Sequence, residues 1–216
     1  MKRWQIVALA GAVLVAGFVL AGYLFRERER EAAGSLARSQ ADALVREYSP
    51  TLGNPGAKVA IVEFLDPGCE TCAVFDPLVK QLIAANPGKI KLVVRYAPLH
   101  HGADQMVAVL EAARRQGKYW ETLQLMYEAQ PYWASHHDPQ PQVMWQLLPR
   151  VGLDMERLKY DAADPAIAKL IQQDVADARA LGVTKTPGYF VNGKPLTVFG
   201  WEQLRALVES ELRANY

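Results

Sequence analysis

Cysteine is scarce in this chain: Cys69 and Cys72 are the only two among 216 residues. A disulfide-dense scaffold is therefore excluded, and a domain of this size does not depend on one. A four-ligand zinc site is short of donors as well. The four histidines come as adjacent pairs, His100–His101 and His136–His137, without the usual ligand spacing. An excess of one charge is missing too, since 24 basic side chains face 23 acidic ones for a net +1. Nothing in that balance favours a polyanion, which sets nucleic-acid binding aside. Internal repeats and low-complexity tracts are absent. The remaining composition, half of it hydrophobic, suits one globular domain plus a short extra segment.

One long apolar run does exist. Ile6 to Phe25, "IVALAGAVLVAGFVLAGYLF", carries no charge over 20 residues. As a helix it would be about 30 Å long, the thickness of a bilayer's hydrocarbon core. Cleaved signals have a shorter apolar stretch of roughly 7–15 residues, so residues 6–25 are read as a transmembrane signal-anchor behind a cytoplasmic stub, 1–5. Small residues near Val19-Leu20-Ala21 keep a cleaved signal open as the alternative. Lys2 and Arg3 form a purely basic flank, whereas "RERERE" (26–31) alternates in sign, which favours N-in, C-out. The rest of the chain is then extracytoplasmic: a periplasmic domain on a single inner-membrane span, or a soluble periplasmic protein if the signal is cleaved. Residues 26–55 are read as a stalk, ending in "SPTLGNPG" (49–56) with its prolines and glycines. The folded domain is placed at 56–216.

Within that domain "AKVAIVEFL" (57–65) has the composition of a buried strand. "CAVFDPLVKQLIAAN" (72–86) follows with Val74, Leu78, Leu82 and Ile83 at helical spacing, and Pro77 is expected to kink it. "GKIKLVVRYAPL" (88–99) is a second strand, and residues 101–182 are helical throughout. The last helix of that block has Asp164 as N-cap, Pro165 at its first position and Gly182 at its end. "PGYFVNGKPLTVFG" (187–200) predicts a hairpin turning at Asn192-Gly193, and 201–212 a terminal helix. This order gives an α/β fold, a central mixed sheet flanked by helices, with a helical insertion of roughly 80 residues, too long and periodic for a loop.

The chemistry concentrates at "FLDPGCETCAVFDP" (64–77). A strand ending near Leu65 and a helix starting near Cys69 put the first sulfur at a helix N-terminus. Free N–H groups and the helix dipole favour a thiolate there. The spacing of three puts Cys72 on the same face, one turn deeper. Cys69 is thus the exposed attacking sulfur and Cys72 the resolving one, which displaces a mixed disulfide at Cys69. Two other readings stay open on local chemistry: a structural disulfide, which would close a tiny loop and gain little, and a two-thiolate Cu(I) site.

Strand, Cys-x-x-Cys, kinked helix, and then the distant "TPGYFVNG" (186–193) together resemble the thioredoxin fold, and specifically the DsbA-like thiol:disulfide oxidoreductases. The helical block before Pro187 distinguishes that branch, and the resemblance runs over about residues 49–214. It implies redox chemistry with no cofactor beyond the two sulfurs. It also implies that Pro187 is a cis-proline packed against the disulfide, and that Thr186 before it pairs with substrate backbone. Glu63, six residues before Cys69, matches the family's buried carboxylate. Val59, Ile61 and Glu63 alternate together along the first strand, so Glu63 shares an apolar face, where desolvation raises its pKa and lets it exchange a proton with Cys72 through water.

The dipeptide between the cysteines departs from the family's strong oxidants, which carry proline–histidine. Glu70-Thr71 stands here instead. A carboxylate beside the sulfur opposes the helix dipole and is expected to raise the Cys69 pKa, giving a weaker, more reducing or isomerase-like couple. His100–His101 at the end of the second strand and "SHHDP" (135–139) are read as solvated loops. Trp120, Trp133, Trp145 and Tyr132 are read as core and groove lining. The expected function is exchange of disulfides in exported proteins, together with an unidentified redox partner; the alternative is an exported Cu(I)-binding module on the same scaffold.

Overall fold

The computed structural model describes residues 20, 23, 41–135 and 139–216. The expected 6–25 span, apart from Leu20 and Tyr23, and the 1–5 stub lie outside the described residues, as do His136 and His137. Among the described residues no helix is long and apolar enough to cross a membrane. The chain divides into two compact units, Met1–Asp42 and Ala43–Tyr216, and the second holds the sheet and its helices.

Five strands form one mixed sheet in the order β1-β3-β2-β4-β5. The central β2 (Val59–Leu65) runs parallel to β3 (Ile90–Tyr96) and antiparallel to β4 (Gly188–Val191). β1 (Thr51–Gly53) and β5 (Lys194–Pro195) are short antiparallel edges. β2 is apolar on both sides because both faces are covered. Val59, Ile61 and Leu65 enter a large core with Cys72, Tyr189 and the helices, while Val62 and Phe64 join a smaller cluster with Leu44, Val93, Ala178 and Phe190. The β4–β5 hairpin turns at Asn192-Gly193, both with positive φ (47° and 84°), the backbone that a tight two-residue hairpin demands and that these two residues tolerate.

α1 (Glu70–Ala85) follows β2 and contains Pro77. Its buried face is Cys72, Phe75, Asp76 and Val79, spaced three and four apart as one side of a helix. Of the expected Val74, Leu78, Leu82 and Ile83, the last two pack half-buried against the core, whereas Val74 points to solvent at 63% exposure. Hydropathy alone phases such a stripe, and Asp76 on the buried face departs from it. The block between β3 and β4 is helical as expected: α2 (Ala103–Arg114), α3 (Tyr119–Glu128), α4 (Gln130–Trp133), α5 (Pro141–Leu147), a 3₁₀ turn (Leu148–Val151), α6 (Met155–Ala162) and α7 (Pro165–Ala180). Asp164 caps α7 by accepting from the Ala166 N–H at 2.8 Å, with Pro165 at the first position. α8 (Trp201–Asn215) closes the chain. Trp133 is buried and Tyr132 exposed, so core and surface share that aromatic group.

The stalk boundary is corrected by the structure. Residues 49–56 contain β1, whose Leu52 pairs with Leu92 in β3. Gly53 sits at φ +94°, and a Cβ there would lie 2.7 Å from the Ile90 carbonyl oxygen, so the glycine serves strand pairing rather than a flexible linker. Upstream, residues 43–48 are tied down by a buried ionic cluster. Arg95 in β3, with no exposed surface, donates to Asp174 at 2.7 Å and Asp177 at 2.6 Å in α7, and also to the Ala43 carbonyl. Tyr48 donates to Asp174 at 2.6 Å, and Arg46 pairs with Asp177 at 2.7 Å. A three-residue strand between prolines shows no period in the sequence, and its partners and those of residues 43–48 lie as far as 131 residues away.

Candidate active site

Cys69 is the N-cap of α1, and its sulfur accepts from the Cys72 N–H at 3.3 Å. A turn built on Asp66-Pro67-Gly68 delivers it there. The Cys69 N–H donates to the Asp66 carbonyl at 3.0 Å, and the Gly68 N–H donates to Asp66 Oδ1 at 2.7 Å. Both cysteines are free thiols.

The Asp66 side chain is buried and organises a second loop. Its Oδ2 accepts from the Leu99 N–H at 2.7 Å and the His100 N–H at 2.9 Å, and faces His100 Nδ1 at 2.8 Å. One carboxylate therefore fixes the end of β2 against the end of β3, directly beneath the redox loop. His100 is not the solvated loop residue expected of it. The helical insertion adds a clamp: Gln130, buried in α4, donates through Nε2 to the carbonyls of Pro67 at 2.9 Å and Cys69 at 3.0 Å.

From the opposite side comes the 186–187 loop. The Thr186–Pro187 peptide bond is cis, as the resemblance implied. The Cys69 thiol donates to the Thr186 carbonyl at 3.3 Å. These neighbours leave Cys69 only 5% exposed, against none for Cys72. The attacking sulfur is therefore less open than expected, because loops distant in sequence cover it.

The two thiols are driven in opposite directions. Cys69 is lowered to about 6, chiefly by its hydrogen bond with the Cys72 side chain; burial opposes this, and the Thr186 side chain and the N–H groups of Cys72 and Thr71 add to it. Cys72 is pushed well above the ordinary thiol range by burial, by that same bond and by the charges on Glu63 and Cys69. One sulfur is thus prepared as thiolate and the other held as thiol, the division that stepwise disulfide exchange requires.

Glu63 lies beneath this pair, 3% exposed on the core face of β2. Burial pushes its carboxyl up to about 8, partly offset by the Tyr189 hydrogen bond and reinforced by Asp76 and Cys69. Tyr189 donates to Glu63 Oε1 at 3.0 Å. Asp76 leads outward from there: Lys80 bridges Asp76 at 2.7 Å and Gln124 at 2.8 Å, joining α1 to α3.

Glu70 occupies the first turn of α1 and is exposed, with Thr71 half-buried beside it. The expected upward push of Glu70 on Cys69 does not prevail, since the net direction is downward. A carboxylate in water is screened, whereas the donors that lower Cys69 touch its sulfur. Thr71, Thr186, Pro187 and Phe199 border an open groove of about 450 Å³ alongside the cysteines. Phe199 is half exposed and contacts Phe75 with ring centroids 4.9 Å apart.

Glu63, Cys69, Cys72, Thr186 and Pro187 thus converge, with Glu70 and Thr71 at the rim. Sequence reasoning does not reach Asp66, Gln130 or Tyr189. Asp-Pro-Gly was a turn signal that could have drawn attention to Asp66. Gln130 sits in the insertion, where nothing local marks it.

The family described as Thioredoxin matches residues 45–210. Among solved structures, a thioredoxin-like oxidoreductase from Silicibacter pomeroyi DSS-3 is 30% identical, with a TM-score of 0.69 over 81% of this chain and 98% of that one. The thiol-disulfide exchange protein alpha-DsbA2 from Wolbachia pipientis shares the fold at 24% identity, with a TM-score of 0.67 over 85% of this chain and 97% of that one. A curated Na(+)/H(+) antiporter NhaA from Herminiimonas arsenicoxydans is 30% identical over 144 residues, 67% of this chain. The chain spans only 22% of that antiporter's length, so the likeness concerns the matched segment alone. On the family match, the cis Thr186–Pro187 bond beside Cys69 and the helical block inserted between β3 and β4, the chain belongs to the thioredoxin family and has the fold of its DsbA-like thiol:disulfide oxidoreductases.

Proposed function

We propose that this protein exchanges disulfides with cysteines of exported proteins. Cys69 is the nucleophile, Cys72 resolves, and no cofactor is needed beyond their sulfurs. The observation that carries the reading is the opposed pair of thiols, Cys69 lowered to about 6 and Cys72 raised, at one helix N-terminus. Attack by the Cys69 thiolate on a substrate disulfide gives a mixed disulfide. Glu63, its own proton released to solvent, then takes the Cys72 proton, and the Cys72 thiolate displaces the substrate sulfur, which is protonated from solvent. Thr186 pairs with substrate backbone, and the groove along Pro187 and Phe199 receives the flanking side chains.

In poise, the couple is a weaker oxidant than the strong DsbA type. A nucleophile at about 6 stands nearer the value of about 7 for thioredoxin than the value of about 3.5 for DsbA. A less stabilised thiolate holds the reduced form less firmly. This supports a reductase or isomerase direction, fed by a separate redox protein. The uncharged run 6–25 supports tethering to the inner membrane with the domain on the periplasmic side.

Insulin reduction by the full chain is the direct test, with Cys69→Ser as the control. Turnover that disappears in the variant is expected. Stoichiometric Cu(I) binding to the two sulfurs without turnover would replace this reading with the metal-binding one.

A further inference from the structure

Tyr127, near the end of α3, packs into the same core as Cys72 and Tyr189. Its hydroxyl is the one buried side-chain polar atom among the described residues with no hydrogen-bond partner. Such a group is costly and rare in a folded protein, and its persistence calls for a reason. The groups whose charge acts on it are, in order, Cys72, Glu63, Asp76 and Tyr189. They come from α1, β2 and β4, the elements that carry the resolving cysteine, the buried acid and the tyrosine bonded to it. Lys80 is the cation on that side, and it is already engaged by Asp76 and Gln124.

We infer that Tyr127 is the donor that stabilises the single negative charge passed between Glu63 and Cys72 while the mixed disulfide is resolved. This rests on the oxidoreductase reading above. In the resting site both groups hold their protons, so the hydroxyl has no anion to bind. Resolution begins when Glu63 releases its own proton to solvent; the resulting carboxylate takes the Cys72 proton, and the Cys72 thiolate attacks Cys69 Sγ. The Cys69–Cys72 bond forms as the bond from Cys69 to the substrate sulfur breaks, and the electron pair leaves on that sulfur. The enzyme's dithiol is oxidised and the substrate disulfide reduced. A negative charge is present beside Tyr127 throughout the step and absent before it. The hydroxyl therefore lowers the barrier while contributing nothing to the stability of the resting protein.

The test uses reduced full-length protein mixed with excess dithiobis(nitrobenzoate) from pH 5 to 10. The first thionitrobenzoate reports attack by Cys69 and the second reports resolution by Cys72. In Tyr127→Phe the first release should keep its rate and pH midpoint. The second should slow about 10- to 100-fold, the loss of one hydrogen bond to a charged group, with its midpoint moved upward. Thermal unfolding of the reduced variant should match or exceed wild type, because the deleted hydroxyl was unpaired. In a Glu63→Gln background the same change should have little further effect, since the shared charge is gone. An unchanged second release in Tyr127→Phe overturns the inference while leaving the oxidoreductase reading intact. A lowered thermal midpoint with both releases slowed marks a packing role and also overturns it. Wild-type protein that releases only one equivalent overturns the oxidoreductase reading itself, and this inference with it.

Discussion

Glu63 and Tyr189 are register partners across the β2–β4 ladder, and the Tyr189 hydroxyl donates to Glu63 Oε1 at 3.0 Å. Tyr189 stands two residues after Pro187. One strand therefore carries both the loop that meets Cys69 and the group that holds the buried acid, so a shift of β4 would disturb both.

Replacing that acid separates the two chemical steps. Glu63→Gln should leave alkylation of Cys69 by iodoacetamide with a midpoint still near the present value of about 6. Insulin turnover should fall about 10²-fold, the lower range for losing a positioned proton acceptor. Equal loss in both assays would mean that Glu63 acts only on Cys69.

Stability should depend on pH differently in the two redox states. Glu63 keeps its proton in the folded protein up to about 8, whereas the unfolded chain loses it near the ordinary value of about 4.3. The unfolded state binds fewer protons in between, so this group lowers stability as pH rises through that window. Cys69 has the opposite sign. Its folded pKa of about 6 lies below the unfolded value of about 8.5, so stability rises over that interval and is lost as pH falls through 6. Reduced protein should therefore lose stability from about pH 4.3 to 6 and stay nearly level to 8. Buried Cys72, raised in the folded state, lowers stability again above about 8.5. Oxidised protein lacks both thiol contributions and should decline continuously to pH 8, by an amount on the order of a few kcal/mol. Urea titrations of both forms across pH 4–10 would show it, and Glu63→Gln should flatten the decline.

Neutralising Glu70 tests its part in redox poise. Glu70→Gln should make the couple more oxidising, with a small effect because the carboxylate is exposed. A tenfold change in equilibrium with glutathione corresponds to about 30 mV for a two-electron couple, and the expected change lies below that. No measurable change would remove Glu70 from the account of poise. A potential near that of strong DsbA oxidants, about −120 mV, would overturn the weaker-oxidant proposal.

Loss of Asp66 should be severe without touching a sulfur. In Asp66→Ala the N–H groups of Gly68, Leu99 and His100 lose their acceptor. Each buried unsatisfied group costs about 1–3 kcal/mol. A drop in the urea midpoint should accompany a shifted Cys69 alkylation profile, because the same turn sets the sulfur's position. Asp66→Asn, which keeps an acceptor, should recover part of both.

The cluster on the other sheet face is structural. Arg95→Ala leaves Asp174 and Asp177 without their buried cation and should cost about 3–5 kcal/mol. Cys69 alkylation in the folded variant should keep its midpoint. Limited proteolysis should open residues 43–48 first, since Arg95 and its aspartates hold them.

What the sequence alone determined is local or periodic. Alternation along β2 puts Glu63 on the face of Val59 and Ile61, and a cysteine opening a helix meets free N–H groups whatever surrounds it. Asn192-Gly193 makes its turn from its own backbone preferences, and the family motifs placed Pro187 and Thr186. Tertiary structure decided what depends on distant partners. Val74 turned outward and Asp76 inward because α1 packs by the space available, not by hydropathy alone. Residues 43–53 joined the domain through β3 and α7, which no pattern within them shows. The net direction of the Cys69 pKa was also decided there. The expected effect of Glu70 was a through-water charge interaction, and it yielded to hydrogen bonds at the sulfur from Cys72, from the Thr186 side chain and from backbone N–H groups. Contact at 3 Å outweighs a screened charge, and only the folded chain makes that contact.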